Sequence, residues 1–152
     1  MIAVHCPTEI ETRALAARLA SLCRPGDIIV LSGGMGVGKT IFVGGLADGL
    51  GVEEAITSPT FVLMRTYTSG FLPLIHVDVY RIGTALEFDD LEVLDLGRDG
   101  VVAIEWGEAV AAVLPIDRLH VDIQVGEGEA RIISLRPLGA WLDRPLAEVG
   151  GA

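Results

Sequence analysis

The chain has one lysine, Lys39, among its 152 residues, and no asparagine. Arginine supplies every other basic side chain except histidine, a usage that fits a GC-rich coding sequence. A lysine kept under such a bias marks a place that needs a compact ammonium on a flexible stem, which a planar guanidinium replaces badly. The absence of asparagine excludes an N-K-x-D guanine-recognition motif, and with it a GTPase switch. Cysteine is scarce too. Cys6 and Cys23 are too few for a disulfide framework, their spacing fits no zinc or redox motif, and both are expected to be reduced thiols. No apolar run approaches the roughly 18 residues of a membrane span. The longest stretches, Ile28–Leu31 and Val101–Ile104, have the length of buried strands. Met1–Cys6 lacks a basic segment followed by an apolar one, so no signal peptide is read and a cytoplasmic location is expected. Positive charge is also short: 11 Lys and Arg against 21 Asp and Glu leave a formal net charge of −10. Phosphate-backbone binding by this chain alone is therefore not expected, although a partner could hold a nucleic acid for it.

What the chain does have begins around that lysine. Gly33-Gly34-Met35-Gly36-Val37-Gly38-Lys39-Thr40 fits G-x-x-x-x-G-K-S/T, the phosphate-binding loop. Glycines there let successive backbone N–H groups converge on phosphate oxygens, and the helix that follows adds its positive end. The context is the one the motif needs. Asp27–Ser32 (DIIVLS) reads as a buried strand before the loop, and Lys39–Leu50 as a helix after it, closed by Gly49 and Gly51.

The remaining segments read as one α/β domain over residues 1–152. Thr8–Leu22 is a helix opened by a Thr8/Glu11 capping pattern, with Leu15, Leu19 and Leu22 on one face. Phe61–Tyr67 and Pro73–Tyr80 look like a strand pair around Ser69-Gly70. In the second strand Ile75, Val77 and Val79 alternate with His76, Asp78 and Tyr80, which places those three polar residues on one face. Leu86–Leu96 is acidic and helical in pattern. Gly100–Trp106 is an apolar run ending in a carboxylate. Leu119–Val125 and Ala130–Arg136 make a hairpin around Gly126–Glu129. Residues after Leu138 read as a peripheral tail.

Phosphate chemistry with Mg²⁺ needs a carboxylate to hold the metal, directly or through water. Two strands end suitably, at Asp78 and at Glu105, where an open α/β sheet has its ligand crevice. One would organise the metal and the other would orient an attacking water; the residues alone leave the assignment open. Thr40 offers the metal a hydroxyl. Thr60, in the loop Thr57-Ser58-Pro59-Thr60-Phe61, is placed either to sense a γ-phosphate or to make an ordinary hydroxyl turn. Trp106 reads as core or as a nucleotide contact, and His76 as a strand residue or a direct participant.

Taken in order, Gly33–Thr40, Ser58-Pro59-Thr60-Phe61, His76-Val77-Asp78-Val79-Tyr80-Arg81 and Glu105-Trp106 resemble the TsaE (YjeE) family, which shows GDLGAGKT, SPTF, HxDxYR and EW at similar spacing. The resemblance spans about residues 7–136. It implies a P-loop NTPase-like three-layer fold with a central mixed, mostly parallel sheet. It implies an ATPase, with ATP and Mg²⁺ as cofactors, that acts with the TsaD and TsaB proteins to make N6-threonylcarbamoyladenosine in tRNA, the tRNA being held by the complex. On this resemblance Lys39 and the loop residues Met35, Gly36, Val37 and Gly38 bind phosphate, while Thr40 and Glu105 hold the metal. Asp78 assists hydrolysis or holds the metal's water shell, Thr60 belongs to a switch-like loop, Trp106 lies beside the nucleotide and Glu9 lies near the adenine. Two positions depart from the family pattern: Gly34 stands for the usual Asp, and Ile41 for a common Thr near the α-phosphate. The other class of reading is a free-standing small-molecule kinase, which normally needs a lid of arginines. The ten Arg here are scattered.

Overall fold

The computed structural model describes residues 1–57, 64–79, 92–107 and 110–150. Within them lies a mixed sheet of seven strands: β1 Ile2–Cys6, β2 Asp27–Ser32, β3 Met64–Tyr67, β4 Leu74–Asp78, β5 Val101–Glu105, β6 Arg118–Val125 and β7 Arg131–Leu138. Their order is β1-β7-β6-β2-β5-β4-β3. The central strands β6, β2, β5 and β4 are parallel. Antiparallel partners close the sheet, β7 and β1 at one edge and β3 at the other. The core of the sheet is thus parallel as expected, and its margins are antiparallel.

Parallel strands covered on both faces read as unbroken apolar runs, and β2 and β5 behave accordingly. Ile29, Leu31, Val101 and Ala103 pack with Leu15, Leu19, Phe42, Val43 and Leu46 beneath helices α1 (Glu9–Ala20) and α2 (Lys39–Leu50). On the other face Ile28, Val30, Val102 and Ile104 meet Val93 of the short helix α3 (Val93–Leu96), together with Val110 and Leu114. The expected helix over Leu86–Leu96 is described only in this last turn, since residues 80–91 lie outside the described residues. The same holds for Phe61–Leu63 of the expected first strand of the pair.

Helix α1 starts where the capping pattern put it, with the Thr8 side chain accepting the Glu11 N–H at 3.3 Å. Helix α2 ends at Gly51, whose φ of 79° lets its N–H turn back to the carbonyls of Ala47 and Asp48. Gly49 does not share in the closure. A Cβ there would lie 2.4 Å from the Ala17 carbonyl oxygen, and one at Gly45 would lie 2.4 Å from that of Arg13. These two glycines form a seam that lets the backbone of α2 touch α1.

Two segments differ from the sequence reading. Strand β1 was not anticipated; it pairs with β7 from Ile2 opposite Leu135 to Cys6 opposite Arg131. The residues after Leu138 are no peripheral tail. Trp141 is fully buried, and Leu146 and Val149 of helix α4 (Leu146–Gly150) join the core on the α1 side. Arg144 forms a bidentate ion pair with Asp27 at the start of β2, at 2.5 and 2.9 Å, and stacks on the Trp141 ring. An apolar core with a paired arginine holds this segment, and nothing in its local pattern signals that. Both cysteines are free thiols. Burial, with the charge of Asp27 beside it, pushes the Cys23 thiol up to about 12, and burial also raises Cys6.

Candidate functional site

The glycine loop leaves β2 at Ser32 and turns sharply into α2. Gly33 has φ 138°, and a Cβ on it would lie 2.6 Å from the Ile123 carbonyl oxygen of β6, so no other residue fits. Gly38, at φ 110°, caps α2 with no side-chain hydrogen bond, which leaves the first N–H groups of the helix to be met by a ligand. Lys39 is buried in the loop. Its ammonium donates to the carbonyls of Gly33 and Gly34 at 2.8 and 3.0 Å and stands 3.6 Å from the centre of the Trp106 ring. Trp106 reaches that position because its backbone is left-handed (φ 61°) directly after β5. Its N–H is bonded to Leu31 of β2 at 3.0 Å, which ties the ends of the two strands together. A cation over an indole face is attracted by the ring quadrupole.

Asp78 and Glu105 are register partners at the carboxyl ends of the neighbouring parallel strands β4 and β5, and both are buried. Glu105 is the one that touches the loop helix: the Thr40 hydroxyl donates to its Oε2 at 3.1 Å. The same oxygen is met by Nε2 of His76, which is completely buried. Burial of His76 and Asp78 is deeper than a polar strand face suggests, because β4 lies inside the sheet between β5 and β3. Tyr80, the third residue of that alternation, lies outside the described residues, as do Thr60, Ser58-Pro59 and Arg81.

The donor set suits a hard cation. Thr40 and Glu105 offer oxygen atoms, and no group of three His, Cys, Asp or Glu side chains among the described residues forms a ready cage. Mg²⁺ is typically held in this way, by one or two protein oxygens with phosphates and water completing the shell. Charge argues in the same direction. Two buried carboxylates and one ammonium give the site a formal excess of negative charge, and a polyphosphate would add more. A divalent cation offsets that repulsion.

Beside the loop, a cavity of about 150 Å³ is lined by Glu9 and Thr12 of α1, Val37 and Gly38 of the loop, Ile41 of α2, and Glu129 and Arg131 of the β6–β7 hairpin. Glu9 and Ile41 therefore share the wall of a cavity that borders the loop. Met35 is largely exposed at the tip of the loop, beside Gly36. Thr12, Glu129 and Arg131 were not anticipated. Arg131 donates to the Val37 carbonyl at 2.7 Å and so fastens the hairpin to the loop. Gly126–Glu129 carried only a turn signal, and what its far side touches is decided by pairing, not by local pattern. The two departures in the loop region are mild. A Cβ at Gly34 would meet nothing nearer than Val37 at 3.8 Å, so an acidic side chain is merely missing there. Ile41 gives the cavity wall an apolar side chain.

Comparison with known proteins agrees with the geometry. The family model described as "Threonylcarbamoyl adenosine biosynthesis protein TsaE" matches residues 6–133. A Streptomyces coelicolor protein named tRNA threonylcarbamoyladenosine biosynthesis protein TsaE is 42% identical over 149 residues, covering 91% of this chain and 99% of that one. Its namesake from Bacillus subtilis is 38% identical over 135 residues, covering 85% and 81%. The crystal structure titled "Crystal structure of Bacillus subtilus YdiB" superposes with a TM-score of 0.79 at 31% identity, over 97% of this chain and 91% of that one. With a P-loop, two strand-end carboxylates, a family model matched over residues 6–133 and relatives matched along most of their length, the chain belongs to the TsaE family.

Proposed function

We propose that this protein is a Mg²⁺-dependent ATPase, slow alone, that serves as an accessory subunit in making N6-threonylcarbamoyladenosine in tRNA, together with TsaB and TsaD. One observation carries the reading: Lys39 and Thr40 at the start of α2 converge with Glu105 and Asp78 at the ends of β5 and β4. Biosynthesis of this modified nucleoside is what the names of the matched family and relatives state.

In this reading the whole chain, residues 1–152, works as one domain. Lys39 exchanges its contacts with the Gly33 and Gly34 carbonyls for β- and γ-phosphate oxygens, and the N–H groups of Met35 to Thr40 surround the phosphates. Thr40 and Glu105 hold Mg²⁺, which when bound neutralises phosphate charge and polarises the group being transferred. Asp78 orients the attacking water. Glu9 and Ile41 would flank the nucleoside in the cavity, Trp106 would lie beside the nucleotide, and Thr60 would sense the γ-phosphate. The net charge of −10 leaves the tRNA to the partners, in the cytoplasm. No helix among the described residues is long and apolar enough to cross a membrane.

The test is ATP hydrolysis by the pure protein with Mg²⁺, alone and with TsaB, TsaD and unmodified tRNA. Weak turnover alone, raised by the partners and coupled to continued tRNA modification, is expected. Turnover indifferent to the partners, or phosphoryl transfer to a small acceptor, would replace this reading with a kinase. In Lys39→Ala, ADP affinity is expected to fall about 10- to 100-fold with the circular dichroism spectrum unchanged, the scale of one or two charge-assisted hydrogen bonds. Unaltered affinity would remove Lys39 from the phosphate site.

A further inference from the structure

His76 is the deepest polar residue of the site, and the roles proposed so far leave it without one. It sits mid-way along β4, fully buried, in register with Ala103 of β5. Glu105 lies two residues further along β5 on the same face, which makes it the diagonal neighbour of His76. Such diagonals are within reach of long side chains, and the small Ala103 leaves the path open. His76 Nε2 closes on Glu105 Oε2, the oxygen that also accepts the Thr40 hydroxyl. The other ring nitrogen, Nδ1, is buried and has no hydrogen-bond partner among the described residues.

These contacts define the proton arrangement. An ionised carboxylate only accepts, so the ring nitrogen facing it must donate. In the neutral ring Nδ1 is then a lone pair, a buried acceptor whose lost hydrogen bond to water is not replaced. A buried polar group left half satisfied calls for an explanation beyond packing, because an apolar residue would fill the same space without an orphaned atom.

We propose that His76 is a positioning residue: its Nε2–H pins the Glu105 carboxylate in the orientation that Thr40 and the divalent cation of the nucleotide complex both require. The inference rests on the Mg²⁺-nucleotide reading of the site. His76 touches neither nucleotide nor metal. It fixes the one protein carboxylate that the Thr40 hydroxyl meets, and the Thr40 donor bond in turn aims the hydroxyl lone pairs away from Glu105.

The test compares wild type with His76→Leu, which keeps bulk, and His76→Gln, which keeps an N–H donor at similar reach. ADP affinity is measured in EDTA and with Mg²⁺, Mn²⁺ affinity of the ADP complex by electron paramagnetic resonance, and ATP turnover as kcat and KM separately. Loss of a hydrogen bond to a metal-binding carboxylate predicts that His76→Leu weakens Mn²⁺ binding about 10- to 100-fold and lowers kcat more than it raises KM. ADP affinity in EDTA is expected to stay at the wild-type value, and His76→Gln is expected to recover most of the Mn²⁺ affinity. Wild-type Mn²⁺ affinity in His76→Leu, or equal losses in both variants, would overturn the proposal. Should His76→Leu fail to fold, ¹⁵N spectra of the wild-type imidazole decide: an Nε2–H tautomer supports the proposal and an Nδ1–H tautomer overturns it. A wild-type protein whose ADP binding ignores Mg²⁺ would bring down the nucleotide reading itself, an outcome distinct from an insensitive His76 variant.

Discussion

At the scale of single residues, Glu105 is where the site's contacts meet. It ends β5, stands beside Asp78, and accepts from Thr40 and His76 on one oxygen. Removing it should separate binding from chemistry. Glu105→Ala is expected to retain ADP affinity in the absence of Mg²⁺ and to lose Mg²⁺-dependent turnover by two or more orders of magnitude, roughly 3 kcal/mol of transition-state stabilisation. Turnover at the wild-type rate in that variant would dismiss Glu105 from the metal site. Lys39, Thr40, Asp78 and Glu105 were all legible in the sequence, since each sits in a local pattern, a glycine loop or a strand end, whose chemistry is carried by neighbours in the chain. The contact between Thr40 and Glu105, by contrast, spans 65 positions and depends on β2 and β5 lying side by side. The tie from Arg131 to Val37 spans 94, and no local signal marks it.

At the scale of elements, α2 poses a puzzle that its sequence alone does not resolve. Gly44, Gly45 and Gly49 in a helix of 12 residues cost about 1 kcal/mol each relative to alanine. The strand-loop-helix context made the helix legible; the reason for Gly45 and Gly49 is the backbone contact with α1, while Gly44 faces the Arg13 guanidinium. Gly45→Val is expected to destabilise the fold by about 1–3 kcal/mol or more through overpacking against Arg13 and Ala16, read as a lower urea midpoint. Because the loop and α2 are continuous, nucleotide affinity should fall with it. A valine tolerated at wild-type stability would mean that α1 can move away at no cost. Gly49 shows the limit of local reading most clearly: it looks like a helix stop, and its neighbours in space make it a packing residue.

At the scale of the molecule, the parallel centre of the sheet was legible because buried parallel strands declare themselves as unbroken apolar runs. The margins were not. Strand β1 and the segment after Leu138 are short, and their places are set by pairing with β7 and by packing on α1. The ion pair of Arg144 with Asp27 joins the last tenth of the chain to the first central strand and is sheltered from water. Breaking one side of such a pair leaves a buried charge. Arg144→Ala is accordingly expected to cost about 3–5 kcal/mol of stability, visible in equilibrium unfolding, while leaving the site's contacts intact. A variant as stable as wild type would show that Asp27 finds water on losing its partner.

The burial of Lys39 also settles how the protein meets chemistry aimed at amines. With its one lysine 6% exposed and hydrogen-bonded inside the loop, the molecule offers solvent almost no lysine amine. Acylating reagents, and enzymes that mark proteins on lysine, find a surface whose cations are guanidinium groups. Whatever opens the loop exposes that amine, so the reactivity of this single side chain counts openings of the phosphate site.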